Sequence, residues 1–173
     1  HHTPFNHFAL LAEAWLHGRL DLGGPPPVYT QLNDFAFFEE RFFISFPPFP
    51  ALLLLPFVAI FGSAEATPDG AIFLLVAAAA PALFYEALCA LRVAGRPTSA
   101  QQDAPRLPVS ELLLAMALPF CTVFWFSAVQ GTVWFAAHVV GVALASAYLW
   151  ASVEGRHPLL AGLFLILAFA TRT

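Results

Sequence analysis

Residues 46–62 read FPPFPALLLLPFVAIFG. The stretch is apolar enough for a bilayer, yet Pro47, Pro48 and Pro50 open it and Pro56 interrupts it. The run from Phe49 to Phe61 would be about 20 Å long as a helix at 1.5 Å per residue. The hydrocarbon core of a bilayer is about 30 Å thick. Length and Pro56 together predict a short re-entrant or interfacial helix rather than a span. How this segment is threaded decides which other residues can meet, because it sets which face receives residues 1–48.

The rest of the chain agrees with a membrane setting. It is 60% hydrophobic and 10% charged, with mean hydropathy +0.75. A soluble domain usually carries about a quarter charged residues. Four longer apolar runs follow, at roughly 70–92, 111–129, 131–153 and 158–172. The first three reach the length of a span, and the fourth does so if further sequence continues it. The expected fold is an all-α polytopic membrane protein. An outer-face loop with juxtamembrane helices fills 1–69, and a bundle of about four transmembrane helices fills 70–173. The chain opens at HHTPFNHF without methionine and stops at LFLILAFATRT, which reads as a fragment of a longer membrane protein.

All seven fixed cations are arginines. Arg92, Arg96 and Arg106 share one loop and Arg156 the other. The positive-inside rule places both in the cytoplasm. Residues 1–69, the turn SAVQGT and Arg172 then lie outside, provided the 46–62 segment does not cross. Arg19 and Arg41 fit a crossing version as well, so charge alone leaves the threading open. The net charge of −4 gives no reason to expect nucleic acid. Cys89 and Cys121 lie in apolar runs and read as small buried hydrophobes.

Residues 3–20 predict an amphipathic helix lying in the interface. Thr3 is its expected N-cap, Pro4 its first helical residue and Trp15 its anchor at headgroup depth. Gly23, Gly24 and Pro25 to Pro27 break the chain. The stretch VYTQLNDFAFFEERFFISF then predicts short extended pieces, with turns at Asn33-Asp34 and Glu39-Glu40.

In the non-crossing topology one face collects His7, His17, Arg19, Asp21, Asp34, Glu39, Glu40 and Arg41. Trp125, Gln130, Trp134, His138 and Arg172 join them. A carboxylate there can serve as general base, and an arginine fork matches phosphate. Each also has a plainer role. Asp21 can end a helix in solvent, Asp34 can make an Asx-turn, and Glu39-Glu40 can be a solvated turn. Arg41 can snorkel, Trp125 and Trp134 can belong to an interfacial belt, and His138 can bond a neighbouring helix. Arg172 is the sharpest candidate, a permanent charge closing an apolar helix. No metal-ligand spacing, Walker A loop, GxGxxG or GxSxG motif is present, which leaves soluble nucleotide chemistry unsupported.

The order of FALLAEAWLHGRLDL, ERFFISFPPFPALLLLPFVAIFG, ALRVAGR, WFSAVQGTVWFAAHVVG and HPLLAGLFLILAFATRT resembles the N-terminal part of bacterial polytopic C-type glycosyltransferases. Protein O-mannosyltransferases and aminoarabinose transferases are relatives in that group. The resemblance spans nearly the whole chain and rests on hydrophobic pattern with a few polar anchors. It implies a polyprenyl-phosphate-linked sugar donor, membrane lipid as surroundings, and transfer at the outer face of the inner membrane. It also implies an early acidic residue acting as base or as contact to a divalent metal ion, and a helix-end TR or TK residue facing the lipid phosphate. Arg172 matches that last position. Asn6 and His7 stand near the place of the early acid, and Gln130 where a second outer carboxylate often sits. The base then falls to Asp21, Asp34 or sequence preceding this chain. Expected substrate contacts are Arg172, Arg41, Trp134, Gln130 and His138. The competing expectations are a transporter or lipid-handling protein, with Pro81, Pro119 and His138 as hinge and pathway features, and a non-catalytic scaffold.

Overall fold

The computed structural model describes residues 2–95 and 109–172. Seven α-helices and one hairpin make up the described fold. They are α1 (His7–Leu16), β1 (Phe35–Phe38), β2 (Arg41–Ile44), α2 (Phe49–Phe61), α3 (Asp69–Ala94), α4 (Val109–Phe120), α5 (Phe124–Gln130), α6 (Val133–Ser152) and α7 (Pro158–Phe169). This is an all-α polytopic membrane protein. The 26 residues of α3 extend about 39 Å, and the 23 residues from Val133 to Gly155 are likewise long and apolar enough to cross.

The expected span at 111–129 is bent rather than straight. α4 and α5 meet at 51°, and only together do they reach the length of a third crossing. Pro119 supplies no N–H to the helix. The Thr122 hydroxyl donates to the Leu118 carbonyl at 2.6 Å and accepts the Phe124 N–H at 3.1 Å, so the side chain takes over backbone bonding at the break. α7 is helical for 12 residues, shorter than a span. Cys121 is exposed at the α4–α5 break and Cys89 is half-buried, so neither is the fully buried hydrophobe expected.

α6 is the central element, packed against α3, α5 and α7. Its start is tied to residues 3–5. The Val133 N–H donates to the Phe5 carbonyl at 3.1 Å. Thr3 donates through its N–H and its hydroxyl to the two oxygens of Asp69, at 2.7 and 2.6 Å, at the start of α3. A Cβ on Gly131 would lie 2.9 Å from the Gly70 Cα, and Gly131 has φ +59, so this close approach of two helix starts needs glycine. The starts of α3 and α6 and the end of α7 thus form one end of the bundle, the cap end. Arg92 of α3 pairs with Glu111 of α4 at 3.0 Å at the opposite end. The turn Val153–Gly155 also packs on α3, so the Arg92 and Arg156 segments share that far end. Arg96 and Arg106 lie outside the described residues.

The 46–62 stretch forms α2 over the 13 residues expected, with Pro50 in its first turn and Pro56 inside it. The Phe49 N–H at its start donates to the Ala170 carbonyl, just past the end of α7, at 3.0 Å. Just beyond its other end, the Ala64 N–H donates to Glu13 Oε2 at 3.0 Å, and the Ala64 carbonyl accepts from Asn6 at 3.4 Å. Both ends of α2 are therefore fastened at the cap end. It lies across the bundle rather than through it.

α1 departs from the interfacial helix expected over 3–20. It runs only from His7 to Leu16, Asn6 at its N-cap makes no side-chain capping bond, and Gly18 at φ +67 turns the chain just past its end. Thr3 cannot cap because Asp69 holds it. Seven of the ten α1 residues are buried, and Trp15 packs on the core rather than standing free as an anchor. Phe8, Leu54, Phe73 and Val140 belong to one continuous apolar cluster shared by α1, α2, α3 and α6.

The hairpin pairs Phe35 with Ile44 and Phe38 with Arg41. Its turn places Glu39 and Glu40 at φ +45 and +60. A two-residue hairpin turn with both central φ positive favours Asn and Gly, so two glutamates hold an unfavourable backbone there.

Candidate functional site

Four of the residues expected to carry function form two bonded pairs along the first turns of α6. Trp134 and His138 are four residues apart on α6, one turn or about 6 Å along its axis. The Trp134 indole donates through Nε1 to Asp34 Oδ2 at 2.9 Å. The Arg172 guanidinium, three residues beyond α7, bonds His138 Nε2 through Nη1. An arginine can only donate, so His138 accepts at Nε2 and the pair carries one positive charge. Among the described residues no carboxylate pairs with Arg172. His138 also lines a 460 Å³ apolar groove with Leu118, Phe126 and Phe135, and Arg172 closes a 570 Å³ apolar hollow with Leu165, Ile166 and Phe169.

Asp34 is exposed, with φ +62, and only its Oδ2 has a hydrogen-bond partner among the described residues. Its position is held from behind by His7. The His7 ring is fully buried, stacked on Phe35 with ring centres 4.5 Å apart and edge-on to Phe46 at 5.5 Å. His7 Nε2 bonds the carbonyl of Asn33, the residue before Asp34, at 2.8 Å. That bond requires the proton on Nε2, and the buried Nδ1 has no partner. Phe5 completes the wall, 4.8 Å from the Trp134 ring.

Sequence reading placed His7 on this face without a specific role. One signal was available: His7, Leu11 and Ala14 fall at i, i+4 and i+7, and all three are buried. Thr3–Asp69 and Glu13–Ala64 left no such trace, because each joins residues more than 50 positions apart.

The other expected residues lie elsewhere. Asp21 and Arg41 line a separate cavity with Arg19 and Glu40. Gln130 ends α5, exposed, and hydrogen-bonds to neither group. Pro81 and Pro119 line a 130 Å³ apolar cavity, and His138 lines a different groove. Among the described residues no group of three or more His, Cys, Asp or Glu converges as a metal centre requires.

Near the cap end, the Tyr29 hydroxyl donates to Asn6 at 3.3 Å. Burial pushes its phenol above the ordinary tyrosine value, opposed by the bond to Asn6 and reinforced by the charges of Glu65, Asp69 and Glu13.

The fold and these contacts define a polytopic membrane protein with a cationic Arg–His pair beside apolar grooves. No protein-family model, curated protein or solved structure matches the chain.

Proposed function

We propose that the chain forms part of a membrane glycosyltransferase. It moves a sugar from a polyprenyl-phosphate donor to an acceptor hydroxyl at the outer face of a bacterial inner membrane. One observation carries this reading: the Arg172–His138 pair has a single positive charge, no carboxylate on it among the described residues, and apolar grooves beside it. A polyprenyl phosphate bearing a sugar is a phosphodiester with one negative charge and a long hydrocarbon tail. The charge suits Arg172 and the tail suits the grooves.

The acceptor oxygen attacks the anomeric carbon. A new carbon–oxygen bond forms as the bond to the phosphate oxygen breaks, and the electron pair leaves with the phosphate. The second negative charge that develops there is met by the Arg172 guanidinium. The acceptor proton passes to the open Oδ1 of Asp34, whose other oxygen is engaged by Trp134. His7 acts through Asn33 as a positioning residue.

The test is transfer from a radiolabelled polyprenyl-phosphate sugar by the full chain in proteoliposomes. Arg172→Gln and Asp34→Asn should each lower kcat about 100-fold or more. His7→Gln should lower kcat about 10-fold with donor KM unchanged, the mark of lost positioning. Wild-type rates in both Arg172→Gln and Asp34→Asn would sink the assignment.

A further inference from the structure

A separate cavity, of 560 Å³, opens between the segment after α1 and the hairpin, and it collects four charged side chains. Arg19, Asp21 and Gly23 form one wall, and Glu40, Arg41 and Phe42 form the other. The walls are clamped together by the Leu22 N–H, which donates to the Phe42 carbonyl at 2.9 Å. The Arg19 N–H bonds the Ala14 carbonyl at 2.9 Å, which anchors that wall on the end of α1. The Arg19 guanidinium lies across the backbone of Gly23, where a Cβ would come within 2.2 Å of Nη1. Any side chain at 23 would displace it.

Among the described residues no ion pair within 4.0 Å joins these four groups to one another. Two guanidiniums and two carboxylates therefore share one open space without neutralising each other in direct contact. Their formal charges cancel, so the cavity has little net attraction for a bare anion. It suits a ligand that brings an acceptor group and donor groups together. An arginine fork binds a phosphate through paired N–H donors, while a carboxylate accepts from hydroxyls. Glu40 is held at φ +60 at the hairpin turn, beside Arg41.

We propose that this cavity binds a phosphorylated polyol, with Arg19 and Arg41 on the phosphate and Asp21 and Glu40 on the hydroxyls. The site is separate from the Arg172–His138 pair and does not rest on the transfer reaction. From Phe35, which follows Asp34, to Phe38, which pairs with Arg41, the hairpin advances about 10 Å at 3.3 Å per residue.

Binding of glucose 1-phosphate to the full chain in phosphatidylcholine nanodiscs, by isothermal titration calorimetry, tests this directly. The ester should bind at least ten-fold more tightly than inorganic phosphate or glucose alone. Arg19→Gln and Arg41→Gln should each weaken it ten-fold or more, and Arg41→Lys should restore part of the loss. Gly23→Ala, which keeps every charge but displaces Arg19, should weaken it several-fold. Nanodiscs containing phosphatidylglycerol distinguish the source of the ligand. Competition with glucose 1-phosphate identifies a lipid headgroup, and its absence identifies a soluble phosphosugar. Equal binding of inorganic phosphate and the ester, or unchanged binding in both arginine-to-glutamine variants, overturns the proposal.

Discussion

α1 and α7 are both short helices, and their fates are opposite. α1, HFALLAEAWL, carries a histidine and a glutamate, yet seven of its ten residues are buried. α7, PLLAGLFLILAF, has no polar side chain, yet only Ala161 of its twelve residues is buried. In water the order would be reversed. Lipid tails are as apolar as leucine, so an apolar helix gains little by hiding from them. Burial inside a membrane protein goes instead to segments whose polar groups need partners. His7 finds the Asn33 carbonyl and Glu13 finds the Ala64 N–H only within the cap.

The sharpest way to break this contrast is to truncate one large apolar side chain in each helix. Phe8 is 1% exposed and packs edge-on against Phe46 and Phe73, whereas Ile166 is 66% exposed. Phe8→Ala should cost about 3–5 kcal/mol. Ile166→Ala should cost less than about 0.5 kcal/mol. Reversible unfolding in mixed micelles with rising dodecyl sulfate measures both, and similar costs at the two sites would undo the comparison.

The polar half of the contrast is tested at Glu13. Glu13→Ala leaves the Ala64 N–H without its acceptor and should cost about 1–3 kcal/mol in the same assay. A neutral result would mean that the Glu13 bond does not help to hold α1 inside.

At the hairpin the expected change runs the other way. Glu39→Asn combined with Glu40→Gly suits the left-handed turn and should stabilise the chain by about 1 kcal/mol. A loss of stability would show that the glutamates make favourable contacts that outweigh their backbone cost.

The smallest effect belongs to Tyr29. Its phenol is raised by burial, so its neutral form is favoured in the folded state. The associated stability is fully present below the ordinary tyrosine pKa of about 10 and is lost as pH rises through the folded value. Unfolding followed from pH 9 to 12 should therefore show a small alkaline decline attributable to this group. That part of the decline should be absent in Tyr29→Phe.

Much of the candidate site could be named from sequence, because charge and aromatic character stand out in an apolar chain. Arg172, His138, Trp134 and Asp34 are such residues, and they form two bonded pairs, Trp134–Asp34 and His138–Arg172. Their grouping was harder to foresee. Arg41 and Asp21 have the same chemical credentials, yet they belong to a different cavity, because the hairpin holds its turn away from the end that carries Asp34. His7 was the hardest to weigh, since its partners, the Asn33 carbonyl and the Phe35 and Phe46 rings, lie far along the chain.

By itself the sequence determined that this is a helical membrane protein and that FPPFPALLLLPFVAIFG makes a short helix. Both conclusions rest on lengths and compositions that act locally. A 13-residue helix cannot match a bilayer core of about 30 Å whatever surrounds it. Only the tertiary structure decided that α2 lies across the bundle, that α1 is interior, and that the charged residues divide between two sites. Those outcomes hang on contacts such as Phe49–Ala170, Thr3–Asp69 and Trp134–Asp34. Each joins segments far apart along the chain, and no local periodicity records such a meeting.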